Sequence, residues 1–202
     1  EGVEDCDDAN KNSNDACSAT CYKVQTLTQN QTTLTPPAID GDILFVSNTY
    51  TNVLVLPTVD MGVSGSFIYR GYAQWDLGAK PPGLESVDGV IFSYEMETGN
   101  TRQKTIRKLT QEASTLASDV ASYNALISGT SYVSNVFMSG SSGTIETLGD
   151  GVVGINWQTS PAADIQTAWN SGQTWFGLTF EQTVVTLASF KSSESTTATN
   201  FP

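Results

Sequence analysis

The chain contains no histidine. Histidine is the commonest general base and the commonest metal ligand, so its absence excludes Ser-His-Asp triads and histidine-based metal centres. Charged residues are scarce, at 15% of the sequence, and the formal charge is −12. Because phosphate binding needs a positive surface, we predict no nucleic-acid partner. We also predict that the protein is not an enzyme, since three motif carboxylates, Asp76, Asp164 and Glu194, each fit a structural role at a strand end, a helix start or a turn.

Long apolar runs are absent as well, and no stretch of eighteen apolar residues exists that could span a membrane. Hydrophobic residues still make up 39% of the chain, enough for a core, while Ser, Thr, Asn, Gln and Gly replace the missing charges. This polar but weakly charged composition is common in extracellular β-proteins. We therefore expect a secreted or cell-surface protein.

From Gly41 onward, β-branched and aromatic residues form predicted strands that Gly and Pro clusters separate, among them GDILFVSN, TNVLVLPT, TRQKTIRKL, GVVGINWQ, WFGLTFEQ and VVTLASFKS. In FIYRGYAQWDL and VIFSYEME the side chains alternate, and the second run places Val90, Phe92, Tyr94 and Met96 on one face. Such a period of two predicts antiparallel strands around a core. The fold is therefore expected to be mainly β.

Two stretches have a helical pattern instead. In the first, EASTLASDVASYNALISG, one face carries Leu116, Val120, Tyr123 and Ile127. The second, SPAADIQTAWNSG, has Ser160 as a predicted N-cap and a glycine after its end. We therefore expect one or two short helices beside the strands.

The first 21 residues form an acidic loop that holds all three cysteines, Cys6, Cys17 and Cys21. Oxygen-bearing side chains at short spacing suit Ca²⁺, and the candidate ligands are Asp5, Asp7, Asp8, Asn10, Asn12 and Asp15. A loop of Asx turns with solvated carboxylates is the alternative. Zinc bound by the three cysteines is disfavoured, because the composition indicates an oxidising compartment.

Residues 22–40 are rich in Thr and Gln and carry one charge before Asp40. Thr favours extended structure, so the segment is either a linker or a strand that pairs outside its own domain. In the second case Tyr22, Val24, Thr26 and Leu34 face inward, although Leu27 breaks the alternation. This divides the chain into a cysteine-rich loop (1–21), an extended segment (22–40) and a β domain (41–202).

The β domain resembles the DNRLRE family of extracellular β-sandwich domains, which includes polysaccharide-binding modules. The resemblance lies in YRGYAQWDL (69–77), PPG (81–83), VIFSY (90–94), DIQTAWNSG (164–172), WFGL (175–178) and FKSSES (190–195). It implies a jelly-roll-like antiparallel sandwich. The family has a tryptophan-containing loop where this chain has its first helical stretch, and it has one more strand after the position of Pro202. The resemblance thus implies that the last strand comes from elsewhere or lies beyond this sequence.

The cysteine-rich loop resembles a short repeat of myxobacterial and other microbial surface proteins, through Glu4, Cys6-Asp7-Asp8, Asn10, Asp15, Cys17-Ser18 and Cys21. Ala9 replaces the repeat's usual glycine, and the upstream cysteine of the repeat is missing. The resemblance implies one disulfide among the three cysteines and a third that lost its partner or pairs between molecules.

These features predict a secreted structural subunit of a filament, tube or surface layer, a homopolymer in which residues 22–35 complete a neighbour's sandwich. The alternative is a carbohydrate-binding module that uses Trp157 and Trp175, with a polysaccharide as partner. A basic cluster at Arg102, Lys104, Arg107 and Lys108 either docks an acidic neighbour or forms a solvated strand face.

Overall fold

The computed structural model describes residues 37–54, 58–98, 102–138, 142–150, 155–182 and 186–191. All of them belong to the second of the two units into which the chain divides, Leu34–Pro202. The strands are β1 (Ile39–Val46), β2 (Thr49–Val53), β3 (Thr58–Ser64), β4 (Phe67–Asp76), β5 (Ile91–Thr98), β6 (Arg102–Lys108), β7 (Ser131–Met138), β8 (Ile145–Gly149), β9 (Ile155–Asn156), β10 (Trp175–Gln182) and β11 (Leu187–Lys191). The helices are a 3₁₀ turn (Ala113–Thr115), α1 (Val120–Ala125) and α2 (Ala162–Asn170).

The strands form one long sheet that curls into a sandwich, which confirms the mainly β prediction. One layer has the order β2-β1-β4-β10-β6-β7, and the other has the order β3-β11-β5-β8-β9. Strands β3 and β4 join the layers through a short pairing of Gly62–Ser64 with Phe67–Tyr69. All pairings are antiparallel except that of β8 with β9, which is parallel.

The two layers separate beside Gly71, where β3 leaves β4. A Cβ atom at this position would lie 2.6 Å from the Val59 side chain of β3, too close for any other residue. The missing side chain therefore lets the layers turn toward each other. Across the interior, the Phe180 ring of β10 lies 5.7 Å from Phe92 and 4.7 Å from Phe190, so aromatic contacts join the layers.

The alternation predicted for β4 and β5 is confirmed. Phe92, Tyr94 and Met96 are buried in the core between the layers. On β4, Ala73 faces this core, whereas Tyr72 faces the opposite side of the layer, where residues of the 109–126 segment cover it in a second, smaller cluster.

The helical face predicted for residues 112–129 is only partly correct. Asp119 caps α1 by accepting a 2.7 Å hydrogen bond from the Ser122 N–H, so the helix begins at Val120 and leaves Leu116 in the preceding turn. Leu116 and Tyr123 are buried as expected, but Val120 is exposed. Helix α2 matches its prediction closely, although Pro161 occupies the N-cap position predicted for Ser160, whose hydroxyl instead accepts from the Ala162 N–H.

Candidate functional site: the seam of the sandwich

The two ends of the curled sheet, β7 and β8–β9, meet along one flank, which we call the seam. Two residues that directly follow β9 close its lower half. The Trp157 ring contacts Tyr132 of β7 with centroids 6.2 Å apart, and its Nε1–H donates to the Val90 carbonyl at 2.8 Å. Trp157 is only 8% exposed. It therefore fills the core at the point where the layers join.

Gln158 completes this closed half by taking the place of a strand partner. Its Oε1 accepts from the Ser134 N–H at 2.8 Å, and its Nε2 donates to the Ser134 carbonyl at 3.3 Å. The Gln158 main-chain N–H also donates to the Tyr132 carbonyl at 2.9 Å. Gln158 thus bonds the N–H and C=O of Ser134 and the C=O of Tyr132 on the β7 edge, which leaves fewer open groups for a new strand.

The upper half of the seam, the open half, lies between Val136 on β7 and the Ile145–Thr147 edge of β8. The Met96 N–H donates to the Thr144 carbonyl, so the alternation of an antiparallel pair turns Glu146 and Leu148 toward β5. The N–H groups of Ile145 and Thr147 consequently point away from β5. On that side the two described residues of β9 pair with Leu148 and Gly149.

Two exposed isoleucines accompany the open half. Ile145 is 52% exposed at the edge, and Ile91 is 59% exposed further down the same outer face, on the neighbouring strand β5. Among the described residues, no hydrogen bond joins β7 to β8 above Asn135. This asparagine has a φ of 53° and follows a register shift between β6 and β7. The change of register coincides with the point where the seam changes from closed to open.

Beneath the open half lie two opposite charges. Lys104 of β6 is 2% exposed, and burial lowers its pKa to about 8, against the opposing effect of Glu146. Burial also raises the pKa of Glu146 on β8, which the Lys104 charge partly offsets. The floor of the open half is therefore polar, unlike the tryptophan-filled closed half.

The other two outer edges carry side-chain caps like that of Gln158. On β2, the Asn52 N–H donates to the Ser118 hydroxyl at 2.9 Å. On β3, the Asp60 N–H donates to Oδ2 of Asp42 at 3.3 Å. Asp42 is 1% exposed, and burial together with the nearby Asp60 charge raises the pKa of this carboxyl to about 7. Caps of this kind hinder the addition of a further strand.

The described chain begins at the end of the sandwich opposite the open half. The Ala38 N–H donates to the Gln74 carbonyl at 2.7 Å, near the last residues of β4. Following the register from β4 to β10, β6 and β7 leads from Gln74 to Ser131, the first residue of β7. Ala38 and Ser131 therefore lie at the same end of the strands. Val136 lies at the other end of β7. The described chain therefore enters β1 at the closed end of the sandwich.

Most residues predicted for function lie outside the described residues. These are the proposed calcium ligands Asp5, Asp7, Asp8, Asn10, Asn12 and Asp15, the cysteines Cys6, Cys17 and Cys21, and the donor-strand positions Tyr22, Val24, Thr26 and Leu34. Within the described residues, no group of three or more His, Cys, Asp or Glu side chains is arranged to hold a metal ion. None of the described helices is long and apolar enough to cross a bilayer.

The two tryptophans predicted for carbohydrate binding differ in their surroundings. Trp157 belongs to the closed half of the seam, and its buried ring has no open face for a sugar. This corrects its assignment as a stacking platform. Trp175 is half-buried and lines a cleft of about 490 Å³ together with Asp76, Glu112 and Thr174. This cleft lies near the Ala38 end, away from the open half of the seam.

The basic cluster does not form one face. Lys104 points into the sandwich, Arg107 lies 3.8 Å from Glu181, and Lys108 forms a 2.7 Å ion pair with Asp164. Burial would raise the pKa of Asp164, but hydrogen bonds from Lys108 and the Tyr132 hydroxyl outweigh it and lower that pKa. Asp164 lies in the first turn of α2, as predicted, and it also ties this helix to the sheet.

No protein-family model matches the chain, and none of the curated proteins matches it. The likeness to DNRLRE domains and to the microbial cysteine-rich repeat therefore stays a prediction. The seam itself was not foreseen. The only trace of the seam in the sequence is the Trp157-Gln158 pair directly after a short strand. This pair alone does not predict the seam, because its partners lie on β7, which is distant in the sequence.

Proposed function

We propose that the protein is a secreted structural subunit that assembles into a filament, tube or surface layer, each subunit giving a strand to the next. The observation that supports this most is the polarity of the domain. The described chain enters β1 at one end, while the upper half of the seam, with the exposed Ile145, lies at the other. A donor leaving one end and an acceptor at the opposite end favour head-to-tail contacts, which continue into a fibre if they do not close.

The donor is the Thr/Gln segment 22–35. Fourteen extended residues span about 46 Å at roughly 3.3 Å each, enough to reach a neighbouring molecule. Main-chain hydrogen bonds provide most of the affinity in strand addition, which suits a segment with few apolar anchors. Lys23 is the one charged residue in this segment, so little desolvation of charge opposes docking.

A peptide competition experiment tests this function in the intact protein. Synthetic peptide 22–35 is added to the full chain, and assembly is followed by light scattering and negative-stain microscopy. The peptide should cap the growing ends and shorten or abolish the fibres, whereas a scrambled peptide of the same composition should have no effect. If the full chain remains a monomer at every concentration, or if the peptide leaves the fibres unchanged, the proposal is wrong.

The cysteine-rich loop has a supporting role in this proposal. A calcium ion held by its Asp and Asn side chains, and a disulfide among its three cysteines, would order the loop next to the donor segment outside the cell. Removing calcium with a chelator should lower the melting temperature, and added calcium should restore it by mass action. Identical melting curves with and without chelator would exclude the calcium site.

Carbohydrate binding is a second candidate, and the cleft at Trp175 favours it. An aromatic ring beside two carboxylates, Asp76 and Glu112, provides stacking and hydrogen-bond acceptors for a neutral sugar. Binding of neutral polysaccharides to the full chain, lost in Trp175→Ala but kept in Trp175→Phe, would support it. If the full chain binds no neutral glycan, carbohydrate binding is excluded as the function.

A further inference from the structure

Two carboxylates lie near each other where β1 approaches β3. Asp42 of β1 is buried, and its Oδ2 accepts a 3.3 Å hydrogen bond from the main-chain N–H of Asp60 on β3. Burial, together with the charge of the Asp60 carboxylate, raises the pKa of Asp42 to about 7. The ion pairs of the described residues involve neither side chain. When both groups are ionised, two negative charges therefore stand in a buried place without a counter-charge.

The other carboxylate oxygen of Asp42 points to a ligand. Oδ1 is fully buried and has no hydrogen-bond partner. Buried polar atoms are nearly always satisfied by protein, water or an ion, so an orphaned acceptor calls for an explanation. A proton on Oδ1 does not provide one, because no acceptor lies within hydrogen-bond distance. A water molecule would satisfy the oxygen but would leave both charges uncompensated.

Further oxygen atoms surround the Asp60 carboxylate. The hydroxyls of Thr58 and Ser189 donate hydrogen bonds to it, and the register places Ser189 of β11 directly opposite Asp60. Lys191, which is opposite Thr58 in the same register, forms a 2.7 Å ion pair with Glu95. The groups around Asp42 and Asp60 are thus carboxylates and hydroxyls, the hard oxygen donors that Ca²⁺ and Mg²⁺ prefer.

We propose that Asp42 and Asp60 bind a calcium ion between β1 and β3. The ion satisfies Oδ1 of Asp42, its two positive charges balance the two carboxylates, and the Ser189 hydroxyl supplies a further ligand. Calcium suits the site better than magnesium, because Mg²⁺ keeps several of its waters, whereas Ca²⁺ accepts protein oxygens in flexible geometry. The site has two carboxylates rather than three, and it is distinct from the loop site predicted for residues 1–21.

The position of this site gives the ion a structural role. Strand β1 belongs to one layer of the sandwich and β3 to the other, so an ion held by Asp42 and Asp60 joins the layers on the side where β3 leaves β4. Asp60 is half-buried, which gives the ion a route from solvent. With two carboxylates, the expected dissociation constant is about 0.1–1 mM, the range of extracellular calcium modules. The inference does not depend on assembly of the protein.

Calcium titration of the full chain tests the site. At pH 8, above the pKa of Asp42, calcium should raise the melting temperature of the wild type by mass action. Asp42→Asn and Asp60→Asn keep the shape of each side chain but remove its charge. Both should weaken calcium binding at this site by more than about tenfold. Asp88→Asn, which removes an exposed carboxylate of the same domain, is the matched control and should bind like the wild type.

The main-chain amide of Asp60 reports on this site alone, because its N–H donates to Asp42. Its NMR resonance in the wild type should shift with calcium, and far less with the same concentration of magnesium. In Asp42→Asn the calcium shift should disappear. This measurement separates the site from the predicted loop site, and it holds even if a variant fails to fold. A resonance that stays unmoved up to about 10 mM calcium, or that moves equally in the wild type and Asp42→Asn, overturns the proposal.

Discussion

The two halves of the seam differ in how the main-chain groups at the edges of the curled sheet are bonded. In both, a strand at the end of a curled sheet presents main-chain groups to the outside. The closed half satisfies them with Gln158 and fills the space behind them with Trp157. The open half leaves the N–H groups of Ile145 and Thr147 turned outward over the Lys104–Glu146 pair. Ser118 and Asp42 cap edge N–H groups elsewhere in the described domain, so the closed half resembles those edges and the open half differs from them.

Of the substitutions considered, removing Trp157 should lower the free energy of unfolding most, because this ring fills the closed half of the seam. Trp157→Ala deletes a buried ring that contacts Tyr132 and leaves the Val90 carbonyl with only the longer, 3.4 Å hydrogen bond from the Asp150 N–H. We expect a loss of about 3–5 kcal/mol in the free energy of unfolding, measured with denaturant. Trp157→Phe keeps most of the ring and should lose clearly less. A loss below about 1 kcal/mol for the alanine variant would show that the seam is not closed by this residue.

Asp42, whose carboxylate caps β3, should make the stability of the protein depend on pH. Burial and the Asp60 charge raise the pKa of Asp42 from 3.8 to about 7, so the folded protein binds a proton that the unfolded chain releases. The stability that this carboxyl contributes is complete below pH 4 and is lost as the pH rises through 7, by up to about 4 kcal/mol. Wild-type protein should therefore unfold more easily at pH 8 than at pH 5.

Asp42→Asn is the matched control, because its amide oxygen can still accept from the Asp60 N–H but does not ionise. The variant should show a smaller difference in stability between pH 5 and pH 8 than the wild type. Asp60 and Tyr69, whose pKa values are also raised mainly by burial, remain in both proteins, and the variant additionally removes the contribution of the Asp42 charge to the pKa of Tyr69. An Asn variant with the full wild-type pH dependence would mean that Asp42 does not titrate in this range.

Gln158 should have a smaller and more local effect. Gln158→Ala removes two hydrogen bonds to Ser134 from an exposed side chain, so we expect a loss of about 1 kcal/mol. The amide of Ser134 should also exchange with solvent faster. Gln158→Glu keeps an acceptor for the Ser134 N–H and should protect that amide better than alanine does. Unchanged exchange in the alanine variant would show that the cap does not protect the edge.

The smallest effect on the monomer should come from the open half itself. Thr147→Pro removes an N–H that has no described partner, so the free energy of unfolding should fall by no more than about 1 kcal/mol. Ser134→Pro, which removes a capped N–H in the closed half, should cost more. If both prolines destabilise the monomer equally, the two halves do not differ as described.

The sequence predicted the elements whose patterns are local. WFGLTFEQ matches β10 from Trp175 to Gln182, and the alternation of β4 and β5 correctly placed Phe92 and Met96 in the core. Strands β3, β7 and β8 were not singled out. In β7, polar residues at Ser134 and Asn135 and a shift of register interrupt the alternation on which such predictions depend.

The candidate site could not be predicted from local patterns, because it depends on pairing between distant segments. Gln158 caps Ser134 only after β9 and β7 have been brought together, and Lys104 meets Glu146 only across the sandwich. The basic residues at 102–108 were read as a patch, but a strand turns Lys104 and Arg107 to opposite faces. Segment 22–35 is the opposite case, because its composition suggests a function while the segment lies outside the described residues.

Negative-stain microscopy of the full chain, with and without peptide 22–35, tests the central claim most directly. The account predicts fibres that shorten or disappear when the peptide is added and that persist with a scrambled peptide of the same composition. A full chain that stays a monomer at every concentration, or fibres that the peptide leaves unchanged, would contradict the account.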